Sequence, residues 1–216
     1  MEARTEETKV RLSEELELFL DGLGGEDSTL GALLDSISAK GFGLLLMVLA
    51  LPAALPIPAP GYATPFGLLM VFLGTQMLIG KRTPWLPEVL RKKRLRHSTC
   101  AFAVRNSGKV LHLVEWLVRP RLSGLARNRI FLAAVSLVII LMASFMILPI
   151  PLTNTAPSFV IFLLAAGMLE EDGLVLLGGL ILAPLAAFIA GMAIYYAVTL
   201  GFEHIEPMVK NLLGLE

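Results

Sequence analysis

Three long tracts of the chain contain no charged side chain, and this feature constrains the fold more than any other. The tracts are residues 41–80, 130–169 and 173–202. About 18 consecutive apolar residues already make a candidate transmembrane helix, because about 20 helical residues cross the roughly 30 Å hydrocarbon layer of a bilayer. A soluble protein of 216 residues could not bury three such tracts in its interior. The pattern therefore predicts an all-α integral membrane protein that crosses its membrane more than once.

The charged residues lie in the segments that flank the tracts and divide the chain into regions. Residues 1–40 carry ten acids and four bases. They are predicted to form cytoplasmic amphipathic helices, because their apolar residues recur at helical spacing over about 8–20 and again up to about residue 39. Ser28 or Thr29 is the expected cap of the second helix. The membrane domain is predicted over 41–202.

The last predicted region is an acidic tail over residues 203–216, which follows the third tract and contains Glu203 and Glu206. The third tract itself, residues 173–202, is predicted to be a C-terminal transmembrane helix. Its small residues Gly178, Gly179 and Gly191 offer surfaces for close helix packing. These surfaces make a homo-oligomer one of the expected assemblies.

The first two tracts are interrupted by prolines. Residues 51–61 contain four prolines within nine residues, and each proline removes a backbone donor and clashes with the preceding helical turn. Each tract is therefore predicted to be a hairpin of two helical arms, about 42–53 and 62–80 in the first and about 130–147 and 157–170 in the second. The prolines expected to shape the turns are Pro56, Pro58, Pro60 and Pro65 in the first hairpin, and Pro149, Pro151 and Pro157 in the second.

The two hairpins share a sequence pattern. The string Leu-Pro-Ile-Pro occurs at 55–58 and at 148–151, and at nearly the same offset Gly74 matches Gly167 and Gly80 matches Gly173. We interpret this as an internal duplication, with one repeat over 41–80 and the other over 130–172. The alternative is that proline-rich apolar loops resemble one another by chance.

The depth and direction of the hairpins stay open at this point. The first arm of the first hairpin has about eleven residues and covers about half a bilayer at 1.5 Å per residue, so a re-entrant hairpin is one prediction; full spans are the other. Residues 99–118 are moderately apolar, but Arg105, Lys109 and Glu115 make a spanning role costly. If this segment lies at the interface, the repeats are parallel; if it crosses, they are inverted.

The basic segment between the hairpins fixes the expected orientation. Residues 81–129 carry thirteen of the eighteen Lys and Arg residues, so the positive-inside rule places this segment in the cytoplasm. The expected location is a bacterial inner membrane, which the protein crosses more than once. Seven of these bases lie within residues 81–96 and are expected to contact anionic lipid headgroups of the bilayer. Nucleic-acid binding is not expected, because basic juxtamembrane segments are common in membrane proteins.

No arrangement typical of an enzyme is present in the sequence. The three histidines are scattered, and the single cysteine, Cys100, suits neither a disulfide nor a cysteine-rich metal site. The sequence therefore predicts a protein that is not an enzyme and uses no cofactor or metal. The acids Glu170, Glu171 and Asp172 at the end of the second hairpin are interpreted as a solvated connector, with proton carriage as the alternative.

Polar residues within the apolar tracts are the better candidates for function, because such groups commonly bind ligands or join helices. Together with exposed backbone groups and the positive ends of the second arms, they could bind a small anion or an anionic headgroup. The alternative is that they only satisfy backbone groups at the turns. The predicted substrate-binding residues are Tyr62, Thr64, Gln76 and Arg82 in and after the first hairpin, and Thr153, Asn154 and Thr155 in the second.

A set of short motifs spread over about residues 10–200 identifies a resemblance to a known family. They are Thr29-Leu30-Gly31, Gly41-Phe42-Gly43, Leu55-Pro56-Ile57-Pro58, Pro84-Trp85-Leu86-Pro87, Arg119-Pro120-Arg121-Leu122, Leu148-Pro149-Ile150-Pro151 and Asp172-Gly173. In these residues the chain resembles the ExoD family of bacterial membrane proteins. The resemblance implies a role in exopolysaccharide production and in tolerance of alkaline conditions. Relatives tend to carry a basic residue where this chain has Glu171.

Two functions of different kinds follow as expectations. The first is a transporter of a small anion or a lipid-linked solute, which supports exopolysaccharide production or envelope homeostasis through a site formed by the two broken hairpins. The second is a membrane scaffold that transports nothing and organises a polysaccharide synthesis complex through its cytoplasmic segments.

Overall fold

The fold was analysed in a computed structural model, which describes residues 18, 27–29, 31–32, 35, 40–54, 63–95, 121–148 and 154–200. Most of the predicted N-terminal helices, the segment 99–118 and the acidic tail lie outside the described residues. So do the centres of both proline turns, including Pro56, Pro58, Pro60, Pro149 and Pro151.

The described part of the chain is helical apart from one short pair of strands. The prediction of an all-helical protein is confirmed, as are the arms of both hairpins and the long C-terminal helix. In chain order the elements are β1 (Ser28–Thr29), α1 (Gly41–Ala54), α2 (Ala63–Leu78), α3 (Glu88–Arg91), β2 (Arg94–Leu95), α4 (Ser123–Ala126), α5 (Arg129–Ile147), α6 (Thr155–Leu169) and α7 (Gly173–Leu200). The strands β1 and β2 pair antiparallel over two residues each.

Polar side chains cap the starts of the two longest helices. The Asn128 side chain accepts hydrogen bonds from the amides of Ile130 (2.9 Å) and Phe131 (3.2 Å) at the start of α5. The fully buried Asp172 carboxylate accepts from the amide of Leu174 (2.9 Å) and from the amide of Val175 (3.3 Å) at the start of α7. Both caps satisfy amide groups that have no partner within the helix.

The second arms α2 and α6 end in the same way. The amide of Lys81 donates to the Gln76 carbonyl and that of Gly80 to the Met77 carbonyl, while Gly80 has φ +87°. This is the Schellman motif, in which a left-handed residue closes the helix. At the end of α6 the amide of Asp172 donates to the Gly167 carbonyl, and Glu171 is the left-handed residue with φ 52°.

These two helix ends correct part of the repeat alignment. The position equivalent to Gly80 is Glu171, and not Gly173, which is the first residue of α7. Gly74 and Gly167 also differ in their surroundings, because a Cβ on Gly74 would meet α5 whereas one on Gly167 would come nearest to Leu176 of α7. The duplication stays a prediction, and its matched glycines have different partners.

Close antiparallel packing joins the hairpins crosswise. The second arm of the first hairpin, α2, lies along the first arm of the second, α5, and α1 lies along α6 in the same manner. A Cβ on Gly67 would lie 3.0 Å from the Ala143 carbonyl oxygen, and one on Gly43 would lie 3.1 Å from that of Ala165. Glycine at these positions allows the backbones to approach so closely.

The C-terminal helix α7 packs on the outside of the second hairpin. It runs antiparallel to α6, since Leu176 contacts Gly167 and Leu164 contacts Gly179. Its opposite surface exposes a row of large apolar side chains from Ile181 to Val198. Helices α5 and α7 are long and apolar enough to cross a membrane by length and composition.

All described charged residues near the helix ends lie at one end of the bundle, which we call the charged end. There, the Arg129 side chain packs against Gly80, the Arg127 guanidinium is 3.0 Å from the Glu171 carboxylate, and the Gly173 amide donates to the Arg121 carbonyl. The opposite end, called the turn end, holds the other ends of both hairpins. Helices α1 and α5 therefore both run from the charged end to the turn end.

Replacement of Gly67 by alanine is expected to destabilise the protein by about 1–3 kcal/mol, because the new methyl group would press on the backbone of α5. The control is Gly178→Ala, since nothing lies within 4 Å of a Cβ at Gly178 and alanine favours a helix over glycine by about 0.5–1 kcal/mol. Unfolding midpoints of the purified variants in detergent test this pair. Equal shifts for both substitutions would contradict the packing of α2 on α5.

Candidate functional site

The two hairpins meet directly at the turn end. The Thr64 hydroxyl, in the first turn of α2, donates a hydrogen bond of 3.0 Å to the carbonyl of Ile147, the last residue of α5. The last carbonyls of a helix have no partner within it, and in an apolar setting an unpaired carbonyl is costly. Thr64 thus stabilises the broken end of the other hairpin.

The start of α6 lies at the same end and is closed by its own side chains. The Ser158 hydroxyl is fully buried and donates to the carbonyls of Asn154 (2.6 Å) and Thr155 (3.0 Å). Pro157 is buried within the first turn, where its missing amide donor costs nothing. The positive ends of α2 and α6 therefore both lie at the turn end.

The position of the turn end along α7 follows from the packing of α6. Because Leu164 is level with Gly179, Thr155, nine residues earlier in α6, is level with about Phe188. From there α7 continues to Leu200, about 18 Å further at 1.5 Å per residue. The exposed side chains of this continuation include Met192, Tyr195 and Val198, so the apolar surface extends well beyond the start of α6.

Gln76 lies at the other end of α2, twelve residues and about 18 Å from Thr64 along the helix axis. It is 4% exposed, and its carboxamide binds the backbone of Trp85 at two points. The Trp85 amide donates to Oε1 at 2.7 Å, and Nε2 donates to the Trp85 carbonyl at 3.0 Å. This double hydrogen bond holds the segment that follows α2 against the charged end.

The structure therefore separates the predicted substrate-binding residues into two groups. Thr64, Asn154 and Thr155 lie at the turn end, whereas Gln76 and Arg82 lie at the charged end. Tyr62 and Thr153 lie outside the described residues. Of the turn prolines, Pro65 and Pro157 lie in the first turns of α2 and α6.

Two features of the site were not predicted from the sequence. The partner of Gln76 is a backbone segment, for which no residue pattern gives a signal. Asp172 was interpreted as part of a solvated connector, but its side chain is fully buried as the cap of α7. An Asp-Gly pair directly before a long apolar run is a helix-start signal that could have revealed this role.

The N-terminal segment contacts the basic segment at the charged end. Besides the pairing of β1 with β2, the Arg91 guanidinium forms an ion pair with Asp35, and a Cβ on Gly31 would lie 2.7 Å from the Arg91 side chain. The Thr29 hydroxyl accepts from the Ala32 amide at 3.2 Å, as expected of a helix cap. The described residues between 28 and 35 thus lie against the basic segment.

Two helices long and apolar enough to cross a membrane, the apolar outer surface of α7 and the charges gathered at one end are typical of an α-helical membrane protein. Residues 12–192 match the family described as exopolysaccharide synthesis, ExoD. The chain belongs to the ExoD family, as the motifs in its sequence predicted.

Two relatives support this assignment. The chain is 35% identical over 207 residues to an uncharacterised protein of Synechocystis, an alignment that covers 95% of this chain and 97% of the relative. It is 29% identical over 190 residues to protein ExoD of Rhizobium meliloti, with 87% of this chain and 76% of the relative covered. No solved structure matches the fold.

Replacement of Thr64 by valine is expected to destabilise the protein by about 1–3 kcal/mol, because the nearly isosteric side chain leaves the Ile147 carbonyl without this donor. The matched control is Thr75→Val, since the Thr75 hydroxyl is exposed and donates to Val71 within its own helix. The free energy of unfolding in detergent measures both. A loss of stability in Thr75→Val as large as in Thr64→Val would contradict the specific role of Thr64.

Proposed function

We propose that this protein is a membrane transporter, not an enzyme, that moves a small anion or an anionic lipid-linked solute past the two broken hairpins. The observation that carries the proposal is the hydrogen bond of Thr64 to Ile147, because it joins the interruptions of both hairpins at one place. That place lies about half-way along the apolar helix α7.

The position of the turns supports re-entrant hairpins. Backbone that is not helical at membrane depth is tolerated only where it is buried in protein or lines a water-filled cavity. The outer surface of α7 stays apolar as far as Val198, about 15 Å beyond the start of α6, so a bilayer that covers α7 also covers both turns. The turns would then form the wall of a polar site within the membrane, as broken helices do in transporters.

The chemistry at the turn end favours an anionic solute. The starts of α2 and α6 both face this end with a partial positive charge of about half an elementary charge each. The ends of α1 and α5 bring the opposite partial charge to the same end, so the preference for an anion rests on the hydrogen-bond donors of the two starts. The described residues of both starts carry no acid. The side chains of Asn154 and Thr155 bring amide and hydroxyl donors to this end, whereas the single proton of the Thr64 hydroxyl is donated to the Ile147 carbonyl. Such groups donate hydrogen bonds to phosphate or carboxylate oxygens without a metal or cofactor.

The charged end is proposed to face the cytoplasm, since basic residues near transmembrane segments mark that side. The proposed location is the bacterial inner membrane, with the bases of residues 81–96 near anionic lipid headgroups rather than bound to nucleic acid. Both hairpins run in the same direction, so the repeats would be parallel rather than inverted.

A scaffold is the second candidate function. It is favoured by the contact of the N-terminal segment with the basic segment through β1, β2 and the pair of Arg91 with Asp35, which builds a cytoplasmic surface. The family is linked to exopolysaccharide synthesis, and such a surface could hold a polysaccharide synthase. Open space beside Gly178 and Gly191 suits a homo-oligomer through α7.

The sidedness of the turns tests the re-entrant arrangement. In a Cys100→Ser background, a single cysteine at Asn154 or at Gly61 is expected to resist an impermeant thiol reagent in intact cells and to react only after the cytoplasmic face is opened. A cysteine at the exposed Lys93, on the charged end, is the control for cytoplasmic exposure. Labelling of Asn154→Cys in intact cells would show that the hairpins cross the membrane fully.

Transport itself is tested with purified protein in liposomes. Two probes cover the proposed solutes: uptake of inorganic phosphate, and translocation of fluorescent phosphatidylglycerol followed by its chemical quenching in the outer leaflet. We expect flux of one of the two probes. At equal amounts of reconstituted protein, Thr64→Val is expected to lower that flux at least about tenfold, which corresponds to about 1.4 kcal/mol in the barrier. Absence of flux for both, with stable capture of a glycosyltransferase, would favour the scaffold.

A further inference from the structure

A cation and an aromatic ring form an exposed pair at the charged end, outside the proposed transport site. The Lys81 ammonium lies 5.7 Å from the centre of the Trp85 ring, a distance typical of a cation–π contact. The Trp85 ring also meets the Phe72 ring in an edge-type arrangement, with 6.0 Å between the ring centres. The Trp85 side chain nevertheless remains 53% exposed.

Both members of this pair are held by the same residue, Gln76. Its backbone carbonyl accepts a hydrogen bond of 3.1 Å from the Lys81 amide within the Schellman motif, and its side chain makes both hydrogen bonds to the Trp85 backbone. Gln76 itself is buried. The backbones of Lys81 and Trp85 therefore keep a fixed relative position although neither residue is part of the core.

The surroundings of Trp85 show that its exposure is built into the fold. The neighbours on either side, Pro84 and Leu86, are buried and attach the segment to the bundle. An indole ring that is apolar with one polar N–H group prefers the boundary between a membrane and water. Lys81 and Arg82, both exposed, supply positive charge at the same level.

We infer that Lys81 and Trp85 form a binding site for the headgroup of an anionic phospholipid, and that Gln76 is its positioning residue. The Lys81 ammonium and the Arg82 guanidinium donate to the phosphate, the indole lies at the level of the glycerol group, and Phe72 contacts the start of an acyl chain. This site rests on the proposed orientation of the charged end, and it does not require that the hairpins transport anything.

The experiment uses the full chain in phosphatidylcholine vesicles. The chain has two tryptophans, so Trp116→Phe leaves Trp85 as the only indole fluorophore. Bromine atoms on a lipid quench an adjacent tryptophan, so quenching by brominated phosphatidylglycerol is compared with quenching by brominated phosphatidylcholine at equal fractions. We expect Trp85 to be quenched more strongly by the anionic lipid, which gives a binding preference.

Lys81→Ala is expected to lower this preference about fivefold, the value of one basic residue near an anionic surface. The matched control is Lys93→Ala, which removes one exposed charge from the same basic segment eight residues beyond Trp85. Because quenching reports only lipid adjacent to Trp85, this substitution is expected to lower the preference much less than Lys81→Ala does. An equal loss in both variants would show a diffuse electrostatic attraction only and would overturn the site.

Variants of Gln76 test the positioning role. Gln76→Glu keeps the acceptor for the Trp85 amide but cannot donate to the Trp85 carbonyl, whereas Gln76→Ala loses both hydrogen bonds. We expect a smaller loss of the lipid preference in Gln76→Glu than in Gln76→Ala. Unfolding midpoints measured in parallel identify a variant that has lost its fold. Unchanged preference in a folded Gln76→Ala protein would overturn the positioning role.

Flux of inorganic phosphate in the same vesicles separates this inference from the proposed transport. Equal quenching by the two brominated lipids together with measurable flux would overturn the headgroup site alone. A clear preference for phosphatidylglycerol without flux of either transport probe would overturn transport and leave the headgroup site standing.

Discussion

The structure depends on finding partners for the backbone groups at broken helix ends, as the hydrogen bond between the Thr64 hydroxyl and the Ile147 carbonyl shows. Prolines interrupt two apolar tracts, and each interruption leaves helix ends whose carbonyl and amide groups need partners in apolar surroundings. The protein solves this by packing one broken hairpin against the other. Gly67 allows α2 to come close enough to α5 for Thr64 to reach the broken end, and Ser158 closes the start of α6 in a similar way.

The charged end obeys a different rule, because there the helix ends can be satisfied by loops and by charged or polar side chains. Asn128 and Asp172 cap the two longest helices, and Gln76 extends the end of α2 into the segment that carries Trp85. Among the described residues, polar groups are numerous and exposed at the charged end, whereas at the turn end Thr64 and Ser158 are bonded to backbone carbonyls.

The comparison of the two hairpins shows how similar sequences acquire different surroundings. Both second arms end in a Schellman motif, but glycine adopts the left-handed conformation in one and Glu171 in the other. A non-glycine residue in this conformation is strained by about 1–2 kcal/mol, and here the Glu171 side chain also forms an ion pair with Arg127. The surroundings of the two helix ends differ because α7 follows α6 directly and packs on Gly167, whereas a loop follows α2.

The sequence by itself determined the helices and their places in the chain, because charge-free tracts and prolines act over short distances along one segment. It also identified the ExoD family, since the motifs are contiguous. It could not determine which helix lies beside which, so it grouped Gln76 and Arg82 with Thr64 although about 18 Å of helix separates Gln76 from Thr64. Only the tertiary structure assigned Gln76 to the Trp85 backbone and Thr64 to Ile147, because long-range hydrogen bonds depend on how helices pack and leave no periodic trace in the sequence.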